Sequence, residues 1–186
     1  MKIDPIWQAD IQQQIFRNVL EAFSRPGTSQ ILSGLINTHH ASVAVLAAIL
    51  DRQVTLADPH NLLESSLWPL LQASRNAATS ANFILADGAL APDFEPCLGT
   101  LDSPELGATL VVCVEKISAG KQIQLNGPGV DGTTAFSALG LSPEWLEKRN
   151  EWTCSFPLGV DLVLTDSTSI VVIPRSTQLL LSEDVT

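Results

Sequence analysis

Residues 160–165 and 169–173 are two short runs, apolar almost throughout, near the C-terminal end of the chain. Runs that do not alternate between apolar and polar positions predict strands covered on both faces. The polar Asp166-Ser-Thr168 between them predicts a hairpin turn. Asp161 interrupts the first run, and Arg175 follows the Pro174 that ends the second. With the turn centred on Ser167, Asp161 stands opposite Ile173 and diagonal to Arg175 on one face, within reach of a long side chain. A register slip of one residue would put the two on opposite faces. A structural ion pair at a strand end is favoured over a catalytic pair.

Earlier in the chain, Asp4-Pro5 has the form of a helix start, with Asp as N-cap and Pro at the first helical position. Trp7, Ile11, Ile15, Val19 and Phe23 then recur every four residues, with Phe16 and Leu20 beside them and Gln8, Gln12, Gln13 and Asn18 opposite. This pattern predicts an amphipathic helix ended by Pro26-Gly27. A short strand follows over 28–32. A second helix, over 41–50 and capped by Asn37 or Thr38, is apolar nearly all round and so predicted buried. A strand over 53–57, a third helix tracing Leu63, Leu67, Leu70, Leu71 and Ser74, and a strand over 82–86 come next. Residues 87–107 break the pattern: Pro92, Pro96 and Pro104 with Gly88, Gly99 and Gly107 punctuate an acidic loop with at most one helical turn. A loop of this length is either functional or an ordinary surface excursion. Strands over 109–115 and 122–126, joined at Ala119-Gly120, lead to a tight turn at Gly127-Pro128-Gly129. A last helix starts at Ser142-Pro143 and carries Trp145, Leu146, Arg149 and Trp152. The residues after Leu181 are polar and expected to fray. Helices alternating with strands, then a strand-rich second half, predict an α/β fold with a mixed sheet and helices on its faces. The length of 186 residues favours a single domain, residues 1–186.

Composition narrows the function. Charged residues make up 16% of the chain, against roughly 25% in an average domain. A surface so short of charge hints that part of it is buried by a partner. The formal net charge is −10, and no base occurs between Arg75 and Lys116. Nucleic acid and anionic membrane surfaces, which need clustered Lys and Arg, are disfavoured as partners. Cys97, Cys113 and Cys154 are widely spaced and odd in number, which fits a reducing compartment rather than a disulfide framework or a zinc site. The first residues contain no apolar signal segment, and the longest apolar run, 43–50, is too short to span a membrane. A soluble, cytoplasmic protein is expected.

Catalytic motifs fail one by one. Gly127-Pro-Gly-Val-Asp-Gly-Thr-Thr134 has the glycine spacing of a phosphate-binding loop, but Thr133 stands where the lysine is required and Asp131 would repel a nucleotide. A structural turn is preferred. His39, His40 and His60 lack the companions of a metal site, so a solvated or helix-start role is expected. Lys116 and Lys121 flank a turn and are expected to be exposed, which argues against a pyridoxal phosphate Schiff base. No cofactor, metal or catalytic residue is predicted, and this favours a binding or assembly role.

Five blocks carry a resemblance. Phe16-Arg-Asn-Val-Leu-Glu-Ala-Phe-Ser-Arg-Pro-Gly27, Gly107-Ala-Thr-Leu110, Leu125-Asn-Gly-Pro-Gly-Val130, Phe156-Pro-Leu-Gly-Val-Asp-Leu-Val-Leu164 and Pro174-Arg-Ser-Thr177 occur in one order. Together they resemble the H subunit of the bacterial carbon–phosphorus lyase system, over nearly the whole chain. The last block departs from that family's Pro-Arg-Thr-Thr, keeping the hydroxyl, and residues 87–107 resemble it least. The resemblance implies a cytoplasmic subunit, homodimeric on its own and assembled with G, I, J and K subunits. It implies a part in attaching phosphonate to the ribose of ATP with loss of adenine. It also implies a fold like the large domain of pyridoxal-phosphate-dependent transferases without the cofactor.

Two readings from different classes remain. In the first, the chain is an accessory subunit with no chemistry of its own. In the second, Arg25, Arg175 and the turn Gly127-Pro128-Gly129, with Asp161 beside them, form a phosphonate- or nucleotide-binding site, since arginine forks and turn amides suit phosphate. A stand-alone dimer with an unrelated ligand is a third and lesser alternative.

Overall fold

The computed structural model describes residues 4–180. Asp4 caps a 3-10 turn, Pro5–Trp7, by accepting from the Ile6 amide at 3.2 Å. The Asp-Pro signal is thus used by a separate turn, and helix α1 proper runs Ala9–Ser24. It ends before Pro26-Gly27 as expected. Ile15, Val19 and Ala22 face the core, but Phe16 and Leu20 are left exposed. Strand β1 is Gln30–Ile31 and helix α2 is Ala41–Ile49. The cap of α2 is His40, whose Nδ1 accepts from the Ser42 amide, and not Asn37 or Thr38. Thr38 instead donates to Asp4 Oδ2 and ties the helix entrance to the first turn.

Strand β2 (Thr55–Ala57) is followed by the one clear failure of helical periodicity. Only Trp68–Leu71 forms a helix, α3, because Gln72 takes a left-handed conformation and Ser74–Arg75 is drawn off as strand β3. Leu63, Leu67 and Leu71 are buried nonetheless. Pairing with β2 outweighs the local preference of residues 72–75. Strand β4 is Phe83–Asp87, β5 is Thr109–Cys113, β6 is Lys116–Asn126 and β7 is Thr134–Leu139. Helix α4 (Glu144–Trp152) precedes the hairpin of β8 (Asp161–Thr165) and β9 (Ser169–Ile173), and β10 is Gln178–Leu180. The expected fraying after Leu181 lies outside the described residues.

Seven strands form one sheet in the order β1-β9-β8-β5-β4-β2-β3. The stretch from β8 to β3 is parallel, β9 runs against β8, and β1 runs against β9. The central strands are covered on both sides, as their unbroken apolar runs require. Leu110, Val112, Leu162 and Leu164 face one core, while Val111, Val163, Ile170 and Val172 face the other. Helices α1 and α2 cover the second of these. The first is covered by α4 together with a small antiparallel sheet, β10-β6-β7, where helices alone were expected. The expected hairpin at Ala119-Gly120 does not form. Ser118 and Gly120 have positive φ within a bulge of β6, and β6 pairs with β7, a strand the sequence reading passed over. The turn at 127–129 opens the connection between them.

Leu110 is fully buried in the middle of the sheet. Leu110→Ala is expected to cost about 2–5 kcal/mol in urea unfolding. The exposed Leu70→Ala is expected to stay within about 0.5 kcal/mol.

Candidate functional site

Of the site residues expected from sequence, Asp161 and Arg175 meet, where the end of β9, the start of β8 and the loop 87–107 come together. Hairpin register is one residue from that expected: Leu162, not Asp161, stands opposite Ile173. The ion pair forms in spite of the slip, because Pro174 ends the strand and Arg175 lies beyond it, free of the alternation that governs faces. Arg175 Nη2 is 2.6 Å and Nε 3.2 Å from Asp161 Oδ2, and the Arg175 amide donates to Asp161 Oδ1 at 2.8 Å. Nη1 donates to the Pro104 carbonyl at 2.7 Å, and Nη2 reaches the Gly107 carbonyl at 3.2 Å. Every guanidinium nitrogen is thus engaged with carboxylate or backbone. A side chain at Gly107 would collide with the Gly159 carbonyl and with Arg175 itself. Arg175 therefore clamps the end of the 87–107 loop to the hairpin.

The other end of that loop is held by aromatic packing. Phe94 stacks on Trp152 at 6.4 Å and meets Trp145 edge-on at 6.0 Å. Trp145 Nε1 donates to the Leu90 carbonyl and Trp152 Nε1 to Glu95 Oε2, both at 2.7 Å. The loop carries a single 3-10 turn, Pro104–Leu106.

Gly127-Pro128-Gly129 is a tight turn closed by the Val130 amide on the Gly127 carbonyl at 3.1 Å. A Cβ at Gly129 would stand 2.7 Å from the Ser24 carbonyl oxygen, and one at Gly127 3.0 Å from that of Ser176. Glycine is required here by close backbone approach as well as by positive φ. The turn packs between the end of α1 and the segment after Arg175, but the two arginines do not converge on it. Arg25 is 69% exposed and pairs with Glu21 at 3.0 Å, one helical turn away.

A cleft of about 600 Å³ opens beside this junction, between α4, the turn at Pro128 and residues 175–180. Its most unusual member is Arg149, which the sequence reading placed on α4 without assigning it a role. Arg149 is 1% exposed; Nη2 donates to the Pro174 carbonyl at 2.5 Å and Nη1 to Asn150 Oδ1 at 3.5 Å. Among the described residues no carboxylate lies within ion-pair distance of it, and Nε is buried without a partner. Burial pushes its pKa down to about 10, against the weaker opposing pull of Asp161. The Thr177 hydroxyl, on the same cleft, is also buried and unpartnered. A signal for Arg149 was present in the sequence: a cation spaced with Trp145, Leu146 and Trp152 on the buried side of a helix.

The carboxyl ends of β4 and β8, at the edge of the sheet where open α/β sheets commonly bind ligands, are occupied by capping groups. His60 Nδ1 accepts from the Asp87 amide at 2.8 Å, so His60 is buried rather than solvated or at a helix start. Asp166 accepts from the Ile117, Thr168 and Ser169 amides. Burial raises the Cys113 thiol, against hydrogen bonds from Ser42 and Thr165, so it is held as the weakly nucleophilic thiol. Burial likewise lowers His40, favouring the neutral ring that caps α2. Lys116 and Lys121 are exposed, and Lys148 pairs with Glu151 at 2.9 Å. Among the described residues no three His, Cys, Asp or Glu side chains are grouped to hold a metal, and no helix is long and apolar enough to cross a membrane.

Comparison with known proteins adds the decisive observation. The family model described as bacterial phosphonate metabolism protein (PhnH) matches residues 6–180. The chain belongs to the PhnH family. A putative C-P lyase subunit protein, HtxG of Stutzerimonas stutzeri, is 38% identical over 174 residues, 94% of this chain and 88% of that protein. The alpha-D-ribose 1-methylphosphonate 5-triphosphate synthase subunit PhnH of Rhizobium meliloti (strain 1021) is 27% identical, over 95% of this chain and 92% of its own length. The family reached from the five sequence blocks is the one found. Within it the present member uses Arg175 as a clamp and leaves Arg149 without a counter-charge.

Asp161 and Arg175 are each largely buried, so removing one strands the other. Asp161→Ala is expected to lose about 3–5 kcal/mol of stability in guanidinium unfolding. Arg25→Ala, breaking an exposed pair, is expected to change it by less than about 1 kcal/mol.

Proposed function

We propose that this PhnH-family chain is an accessory subunit of a carbon–phosphorus lyase complex, assembled with G, I, J and K subunits in the cytoplasm and homodimeric when alone. In this reading it supports the attachment of phosphonate to the ribose of ATP with loss of adenine and performs no bond-breaking step itself. The observation that carries the proposal is the match along nearly the whole chain to relatives named as subunits of such systems. Surface chemistry supports it. Phe16 and Leu20, one turn apart on α1, are 42% and 49% exposed, and Ile31 on the edge strand is 68% exposed. Large apolar side chains left in water on a surface poor in charge suit burial by other chains. Several of the polar groups that a catalytic reading would use, Asp161, Asp166 and Arg175 among them, are instead engaged in caps and clamps. The seven-stranded mixed sheet is also compatible with an architecture like that of the pyridoxal-phosphate-dependent transferases, which we propose on the family resemblance.

A second reading, a subunit that also binds an anionic ligand, is favoured by one observation, the uncompensated Arg149. Arg175, by contrast, already has each of its three guanidinium nitrogens engaged with Asp161 or a backbone carbonyl.

Native mass spectrometry of the tagged chain, alone and co-expressed with the other subunits, tests the proposal. A homodimer alone and a fixed-ratio assembly with partners are expected. A chain that stays unassociated beside expressed partners would contradict the subunit role. Arg175→Ala is expected to lose assembly together with stability, as a clamp should.

A further inference from the structure

We infer that the cleft between α4 and residues 175–180 is a binding site for a tetrahedral oxyanion of the phosphate or phosphonate class, with Arg149 and Thr177 as its principal donors. The argument begins with an unbalanced charge. A guanidinium taken out of water is stable only when paired or fully hydrogen-bonded. Arg149 is as buried as any core residue, yet it has one good acceptor, the Pro174 carbonyl, one long contact to Asn150, and an Nε with none. Asp161, which acts on it from a distance, already accepts three bonds from Arg175.

Thr177 supplies an independent second observation. Its amide donates at 2.9 Å to the same Pro174 carbonyl that accepts from Arg149, so one backbone oxygen joins the two residues, both of which line the cleft. Its hydroxyl is buried there with no partner. Buried polar groups in native proteins are almost always satisfied, and an orphan beside a cavity calls for a partner from outside the chain, whether water, ion or ligand. A guanidinium Nε–H and a hydroxyl that both lack a partner, on residues lining one cleft, are two donors of the kind that suits the oxygens of a phosphate or phosphonate. The cleft, about 600 Å³, lies in the range that holds a small organic ligand, and Leu179 and Phe156 give it an apolar wall for the organic part. The net charge of −10 works against long-range capture of an anion, so recognition rests on these short contacts.

The geometry of the site stands without the subunit reading; only the choice of a phosphonate probe rests on it. The test titrates the isolated full-length chain with inorganic phosphate, methylphosphonate, ATP and, as a planar carboxylate, acetate. Binding is followed by amide chemical shifts and calorimetry. Saturable shifts centred on residues 149–154 and 176–179 are expected with phosphate and methylphosphonate, and weaker ones with acetate. Tighter binding of ATP than of both would assign the anion to a nucleotide. Arg149→Met and Thr177→Val are each expected to weaken binding roughly ten- to hundredfold, and Arg25→Ala to leave it unchanged. Thr177→Val, nearly isosteric, carries the test if Arg149→Met does not fold. No saturable shift with any oxyanion, or binding that survives Thr177→Val and Arg149→Met, would overturn the site. Loss of the site with co-purification intact would leave the subunit role standing.

Discussion

The position of Arg175, one residue past the proline that ends β9, sets how the second half of the molecule closes. A guanidinium has donors in a fixed plane, and here each of its nitrogens is engaged, by Asp161 at the start of β8 or by one of two carbonyls at the end of the 87–107 loop. One side chain thus joins a hairpin to a loop about seventy positions earlier in the chain, and it does so only because Gly107 presents no side chain in the way. The aromatic contacts of Phe94 with Trp145 and Trp152 hold the other end of the loop against α4. A stretch without any sequence period is therefore held at both ends by named contacts.

Much of this was legible in the sequence, and the failures have physical causes. The apolar runs of β8 and β9 announced a hairpin buried on both faces, α1 followed from its periodicity and its stop, and α2 from a run apolar nearly all round, though with His40 as its cap. The Asp161–Arg175 pair forms although the hairpin register is one residue from that expected. The residues after a strand-ending proline escape strict alternation, so the error did not matter. The third helix was lost because pairing of Ser74–Arg75 with β2 is a long-range gain that a local window cannot see. β6 and β7 were misread for the same reason, with glycine at a bulge taken for glycine at a turn. Arg149 was visible as a cation among tryptophans, but its lack of a partner is a property of three dimensions only.

What emerges is a chain whose conspicuous polar residues mostly serve the fold. Asp166, His40, His60 and Asp58 accept backbone amides, the glycine turn at 127–129 admits close backbone approach, and Arg175 is spent on its clamp. Such economy fits a member of the PhnH family that works through surfaces it shares with other subunits. The exposed apolar side chains on α1 and β1 are the contact area we propose, and none of them lines the Arg149 cleft.

Hydroxyl-radical footprinting of the chain, alone and within the co-expressed assembly, tests that central claim at side-chain level. The account predicts that labelling of Phe16, Leu20 and Ile31 falls in the assembly, while buried residues such as Trp145 stay unlabelled in both. Equal labelling of all three exposed side chains in the two states would contradict it.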